Sequence, residues 1–222
     1  MVNPNYLSFY IAISIIFLMA IICYKLGVFP KKIKRVENNN LNDQVSFFVN
    51  KICNNIDMEL FVVGGECNHN FWNHNEVIDA LNNLINNKIT INICSGPWFD
   101  VESVRLAKLI NDGKVNYYMA KDREENIHFW GNDVDTVACH PGNEQNKEVG
   151  ILGSRYINRS FKKEFLNKII GITPIEKGRF IDNFKIKDPL LRDKHKSDFW
   201  FTNTNKIEPA TQYEIDNLSN SL

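Results

Sequence analysis

The residues best placed to do chemistry in this chain are His128, Trp130 and Asp135, followed by Gly153, Ser154 and Asn158. A neutral imidazole is a good nucleophile near pH 7, and His128 stands in a short apolar run, residues 127–130, that reads as a strand. Alternate residues of a strand face one side, so His128 and Trp130 should line the same surface. Trp130 carries no charge and one weak N–H, but its ring can stack on a base or a sugar. Asp135 follows a Gly131-Asn132 turn and is the residue type that orients an imidazole. Ser154 offers a hydroxyl to a ligand, and Lys121 or Arg123, on the loop before His128, could bring a cation from another direction. Each residue also fits a plainer role. A lone strand histidine is often a satisfied structural group, Gly153-Ser154 alone is a turn, and a tryptophan is more often core than platform.

The elements that must position these residues follow from the spacing of apolar side chains. Val45, Phe48, Val49 and Ile52 mark an amphipathic helix over 44–54. Residues 58–63 are a short apolar run closed by Gly64-Gly65, hence a buried strand. A helix over 75–87 places Val77, Ile78, Leu81, Leu84 and Ile85 on one face, and 89–94 alternates as a second strand. Asp100 suits the N-cap of a further helix that stops at Gly113. Residues 115–120 make a third strand, and shorter strands follow at 127–130, 134–138 and 149–152. A polar insert at 139–147 would form a hairpin able to cover a pocket, and 161–170 is a closing helix. Strands alternating with helices give the α/β class, a mixed or parallel sheet covered on both faces. From Gly171 the periodicity is lost, so 171–222 reads as an irregular extension with Phe199-Trp200-Phe201 docked on the domain.

Two other groupings invite attention. Cys67-Asn68-His69 and Cys139-His140 offer the ligand types of a zinc site, without the usual C-x2-C spacing. No metal and no cofactor is expected. Ser95-Gly96-Pro97-Trp98 follows the second strand, where ligand loops lie in open α/β sheets, though an ordinary turn explains it equally well.

The pattern H-x-W-x4-D at 128–135 resembles H-x-K-x4-D, the signature of the phospholipase D superfamily, and differs from it at the lysine. The resemblance runs over 58–170, about half of the chain, and is that of one half-domain. It implies that His128 is the nucleophile that attacks phosphorus, with Asp135 as its orienting partner. Gly153 and Ser154 stand for the glycine-serine pair of the next strand, with Ser154 as a hydrogen-bond donor to the phosphate, and Asn158 for a displaced trailing asparagine. In that family the lysine neutralises the phosphate, a role Trp130 cannot take, and the spacing from Asp135 to Gly153 is longer than the family's. Two motifs normally face each other across the site, so a single copy implies a homodimer.

The chain has 222 residues and no net charge, 26 basic against 26 acidic side chains, so no global field draws it to nucleic acid or anionic lipid. Residues 6–24 are uncharged and apolar. As a helix they would span about 28 Å, close to the hydrocarbon thickness of a bilayer. A secretory signal peptide is the competing reading, but it usually begins with basic residues. Here Lys25, Lys31, Lys32, Lys34 and Arg35 lie on the other side, which places the amino terminus outside and the remainder in the cytoplasm. Five scattered cysteines suit a reducing compartment. The expected organisation is a tail at 1–5, a transmembrane helix at 6–24, a basic linker at 25–43, a phospholipase D-like domain at 44–170 and the extension. The expected function is a membrane-anchored protein that binds a phosphodiester-containing ligand: nucleic acid, nucleotide or phospholipid. The alternatives are an active phosphodiesterase or nuclease using His128, and a non-catalytic membrane scaffold.

Overall fold

The computed structural model describes residues 33–65, 67–96, 98–100, 102–120, 127–141, 148–180, 200–203, 206–207 and 220. The expected membrane segment at 6–24 lies outside them, as do Lys121 and Arg123. Among the described residues no helix is long and apolar enough to cross a membrane.

Three parallel strands form one half of the sheet: β2 (Glu59–Gly64), β3 (Thr90–Ser95) and β5 (Asn116–Met119), in the order β2–β3–β5. Leu60, Phe61, Val62 and Val63 are all buried, as befits a strand covered on both faces. Parallel neighbours need a crossover. Helix α3 (Asn75–Asn86) makes the first, burying Val77, Ile78, Leu81 and Leu84 as one stripe. Helix α4 (Val104–Asn111) makes the second, burying Leu106, Ala107, Leu109 and Ile110. The other half is antiparallel. Strand β6 (Ile127–Asn132) pairs with β2 on one side and with β7 (Val137–Pro141) on the other. Strand β8 (Glu148–Leu152) follows, and β1 (Lys34–Asn38) closes the edge, giving the order β1–β8–β7–β6–β2–β3–β5.

One face carries the larger core. It is covered by α1 (Leu41–Phe47), which continues as a wider turn to Ile52, by the short α2 (His69–Trp72), and by α3 and α4. The opposite face is covered by α5 (Arg155–Lys168), whose Phe165 packs on Phe61, Val63, Cys94 and Phe129. Gly150 lets Phe47 lie against β8. A Cβ there would come within 2.3 Å of its ring.

The mixed sheet flanked by helices matches the fold class expected from the sequence; several bounds do not. Residues 34–38, expected within the linker, form the edge strand β1, whose polar and exposed KRVE hides a strand but suits an edge. Asp100 ends strand β4 (Trp98–Asp100) instead of capping α4, whose N-cap is Ser103. Helix α5 begins at Arg155, six residues before the apolar run that betrays it, with Ser154 as N-cap. The extension is not irregular throughout. Phe180 is fully buried between Phe99 and Tyr117, at ring centroids of 4.9 and 5.9 Å. Further on, β9 (Trp200–Asn203) pairs parallel with β4 and antiparallel with β10 (Lys206–Ile207).

Candidate functional site

Strand β6 runs against β2, so its first residues lie at the edge where the parallel strands end. Pairing of Val63 with Phe129 puts His128 beside the end of β2. His128 is exposed, and its ring fills the space over Gly65. A Cβ on that glycine would stand 2.8 Å from His128 Cε1 and 3.0 Å from Nε2. Ser95, at the end of β3, donates its hydroxyl to the carbonyl of Gly65 and so ties the two strand-end loops together. Ligands of open α/β sheets lie at this edge.

From His128 a polar row crosses the sheet. His128 pairs with His140 on β7, with ring centroids 6.4 Å apart and planes at 75°. Cys139 pairs with Val149, and the next step of that register sets His140 opposite Glu148. Its Nε2 lies 3.7 Å from Glu148 Oε2. Glu148 in turn pairs with Asn38 on β1, whose amide donates to Oε1. The Glu148 side chain is fully buried and its Oε2 has no hydrogen-bond partner. Burial pushes this carboxyl from its ordinary 4.5 up to about 8, against the pull of the Asn38 hydrogen bond. Sequence reasoning weighed His140 only as half of a metal pair and passed over Glu148, because the register that aligns them is not written in local periodicity.

Trp130 shares the face of His128, as the spacing predicts, but it points inward. Its ring stacks on Phe71 at 4.8 Å and 12°, meets Phe48 edge-on at 5.7 Å, and is 7% exposed. His140 stands perpendicular to it at 5.4 Å. The expected ligand platform is therefore a core side chain.

Asp135 lies at the opposite end of the β6–β7 hairpin. Four residues of strand separate His128 from Asn132, about 13 Å at the usual rise, and Asp135 sits in the turn beyond. It is buried, and its Oδ1 accepts from the Thr136 hydroxyl at 3.1 Å and Asn55 Nδ2 at 3.5 Å. Asn132 organises this turn. Its Oδ1 accepts the N–H groups of Val134, Asp135 and Thr136, each at 3.1 Å, and its Nδ2 donates to the Asn55 carbonyl at 2.6 Å. Asn158 reaches up from α5 and donates to the carbonyls of Asn132 and Thr136 at 2.8 and 2.9 Å. Ser154 donates its N–H to the Asp135 carbonyl at 3.2 Å, while its Oγ accepts from the Ile157 N–H at 3.3 Å. Gly153 holds φ at +78°, the left-handed turn that releases β8 into α5. Asp135, Gly153, Ser154 and Asn158 are thus brought to one another, not to His128. An orienting role for Asp135 and a phosphate contact for Ser154 have no geometry at the His128 edge.

His69 is held elsewhere on the same side of the sheet. Its Nδ1 is 2.7 Å from Asp100 Oδ2, which also takes the His69 backbone N–H at 2.8 Å, and its Nε2 is 3.2 Å from Glu102. The Ser103 hydroxyl donates to the Cys67 carbonyl at 2.5 Å. These contacts bind the loops after β2 and β3 to each other. Among the described residues no three His, Cys, Asp or Glu side chains are grouped to hold a metal ion.

No protein-family model and no curated protein matches the sequence. Solved structures do. Nuc of Salmonella typhimurium, a phospholipase D family member, superposes over 64% of this chain and 97% of its own, at 10% identity and a TM-score of 0.50. TrmBL2, an archaeal chromatin protein with a novel mode of DNA binding, is similar over 78% of this chain and 66% of its own, at 8% identity and a TM-score of 0.46. Phosphatidylserine synthase of Haemophilus influenzae Rd KW20 follows at 13% identity and 0.43, over 65% of this chain and 40% of its own. The chain thus spans nearly all of Nuc and smaller parts of the other two. The likeness to Nuc is one of fold, and it defines the class: a phospholipase D-like mixed sheet flanked by helices.

Proposed function

We propose that this protein binds a phosphodiester-containing ligand at the sheet edge marked by His128, and binds it without cleaving it. The observation that carries the reading is a contrast within one strand of a phospholipase D-like fold. His128 is exposed at the end of the parallel strands, whereas the residue two positions on is a tryptophan packed against Phe71. A buried indole cannot reach a phosphate, so the charge stabilisation that phosphoryl transfer demands is missing from that position. Nucleic acid, nucleotide and phospholipid headgroup all present the same oxyanion. Anchoring through residues 6–24, with the domain on the cytoplasmic side, and pairing of two copies to complete a two-motif site belong to the same proposal.

Calorimetric titration with bis(p-nitrophenyl) phosphate and with a short DNA strand tests it. Saturable binding should be lost in His128→Ala, with no release of p-nitrophenolate above buffer in any form. Turnover that depends on His128 would replace the reading with the phosphodiesterase one. Neither binding nor turnover, at unchanged stability, would leave the scaffold reading.

A further inference from the structure

Two polar rows cross this sheet, and they differ in one respect. On the α5 face, Asn116 donates to Asn92 at 2.9 Å, Asn92 donates to Glu59 Oε1 at 2.8 Å, and Lys162 of α5 takes Glu59 Oε2. Both oxygens of that carboxylate are bonded. On the other face the row Asn38, Glu148, His140, His128 includes a more deeply buried carboxyl, and only one of its oxygens is bonded. Its free oxygen faces the His140 imidazole, and the row ends at an exposed histidine. A buried polar atom without a partner is costly, so this arrangement calls for a reason beyond stability.

We infer that His140 supplies the positive charge that Trp130 cannot. His128 and His140 then form one oxyanion subsite for a phosphodiester, occupied more tightly as the pH falls through the imidazole range. The inference rests on the binding reading above. Two rings with centroids 6.4 Å apart lie close enough for both to reach one phosphate group, and a charged N–H donor to an oxyanion is the strong kind of hydrogen bond. His140 is fixed edge-on by Trp130 at 5.4 Å on one side and by Glu148 at 3.7 Å on the other. The part played by Glu148 is to remain neutral. An ionised carboxylate behind His140 would cancel its charge, whereas a protonated one leaves the row net positive once the imidazoles charge. Burial favours that neutral form, raising the carboxyl from 4.5 to about 8.

Among the described residues, the elements packed on this face turn uncharged groups toward it. Helix α1 turns Gln44, Val45 and Phe47 inward, α2 turns Phe71 and Trp72 inward, and β1 contributes the amide of Asn38. His69 is engaged by Asp100 and Glu102.

The test is the affinity for bis(p-nitrophenyl) phosphate measured at about pH 5.5 and about pH 7.5, either side of the ordinary imidazole value and both below the value to which burial raises Glu148. The wild type should bind about tenfold or more tightly at the lower pH, the worth of one charge-assisted hydrogen bond. His140→Gln should bind weakly at both, with the pH dependence flattened, and Glu148→Gln, a neutral mimic, should keep the wild-type profile. The Cε1 proton signals of wild-type His128 and His140, followed by NMR, should both titrate at higher pH when the probe is saturating. That measurement decides the matter even where a variant fails to fold. Binding lost in His128→Ala but unchanged in pH profile in His140→Gln would overturn the subsite and leave the binding reading standing. A folded Glu148→Gln that no longer binds would overturn it too, since the carboxylate would then be needed charged. No binding by the wild type at either pH would sink both.

Discussion

The two ends of the β6–β7 hairpin are built on opposite plans. At the turn, Asn132 satisfies three backbone N–H groups with one side-chain oxygen, and Asn158, Ser154 and Asp135 complete a closed set of hydrogen bonds. At the open end, His128 is exposed, His140 is partly so, and a buried carboxyl oxygen lacks a partner. A network with every group paired specifies structure, and the one left incomplete lies at the edge where binding is proposed. The H-x-W-x4-D pattern spans both ends, so its histidine and its aspartate serve different purposes.

Substitutions can break or sharpen this contrast. The largest effect is expected from Trp130→Lys. An ammonium in place of a ring stacked on Phe71 should cost about 3–5 kcal/mol in denaturant unfolding and restore no activity. Turnover in a stable Trp130→Lys protein would erase the distinction between core and site. Asn132→Ala comes next. It leaves three N–H groups without their acceptor and should cost about 3 kcal/mol, with ligand affinity unchanged in whatever remains folded. Glu148→Gln should act through pH. The fold raises this carboxyl from 4.5 to about 8, so the stability it lends is complete below the lower value and lost as the pH rises through the upper one. Wild-type unfolding midpoints should therefore fall by the equivalent of a few kcal/mol across that window, and the glutamine variant's should show a smaller slope. Smallest is His128→Ala, whose midpoint should stay within about 0.5 kcal/mol of wild type because the ring is exposed, even as binding disappears.

Much of the fold was legible because its central elements announce themselves locally. Leu60-Phe61-Val62-Val63 can only be a buried strand, and Val77, Ile78, Leu81 and Leu84 only one face of a helix. The elements that escaped are those with polar composition. Strand β1 reads as linker because Lys34, Arg35 and Glu37 face solvent, and the first turn of α5 reads as loop because only Asn158 of its residues is buried. The site was legible in part. The spacing of two correctly placed His128 and Trp130 on one side, yet it could not say that this side is core at 130 and solvent at 128. That depends on Phe71, which helix α2 delivers. The row that joins His140 to Glu148 was invisible because it depends on strand order, which no periodicity records.

That strand order also governs when the molecule can finish folding. Asn38 and its partner Glu148 are 110 residues apart, and such distant pairing closes late because the chain entropy is lost before the contact is made. During synthesis β1 emerges first among the described strands, and its partner β8 is the last strand of that sheet to be made. It must wait as an open, charged ribbon, its Lys34, Arg35 and Glu37 discouraging premature strand addition. The first described strand of the seven-stranded sheet is then the last of that sheet to dock.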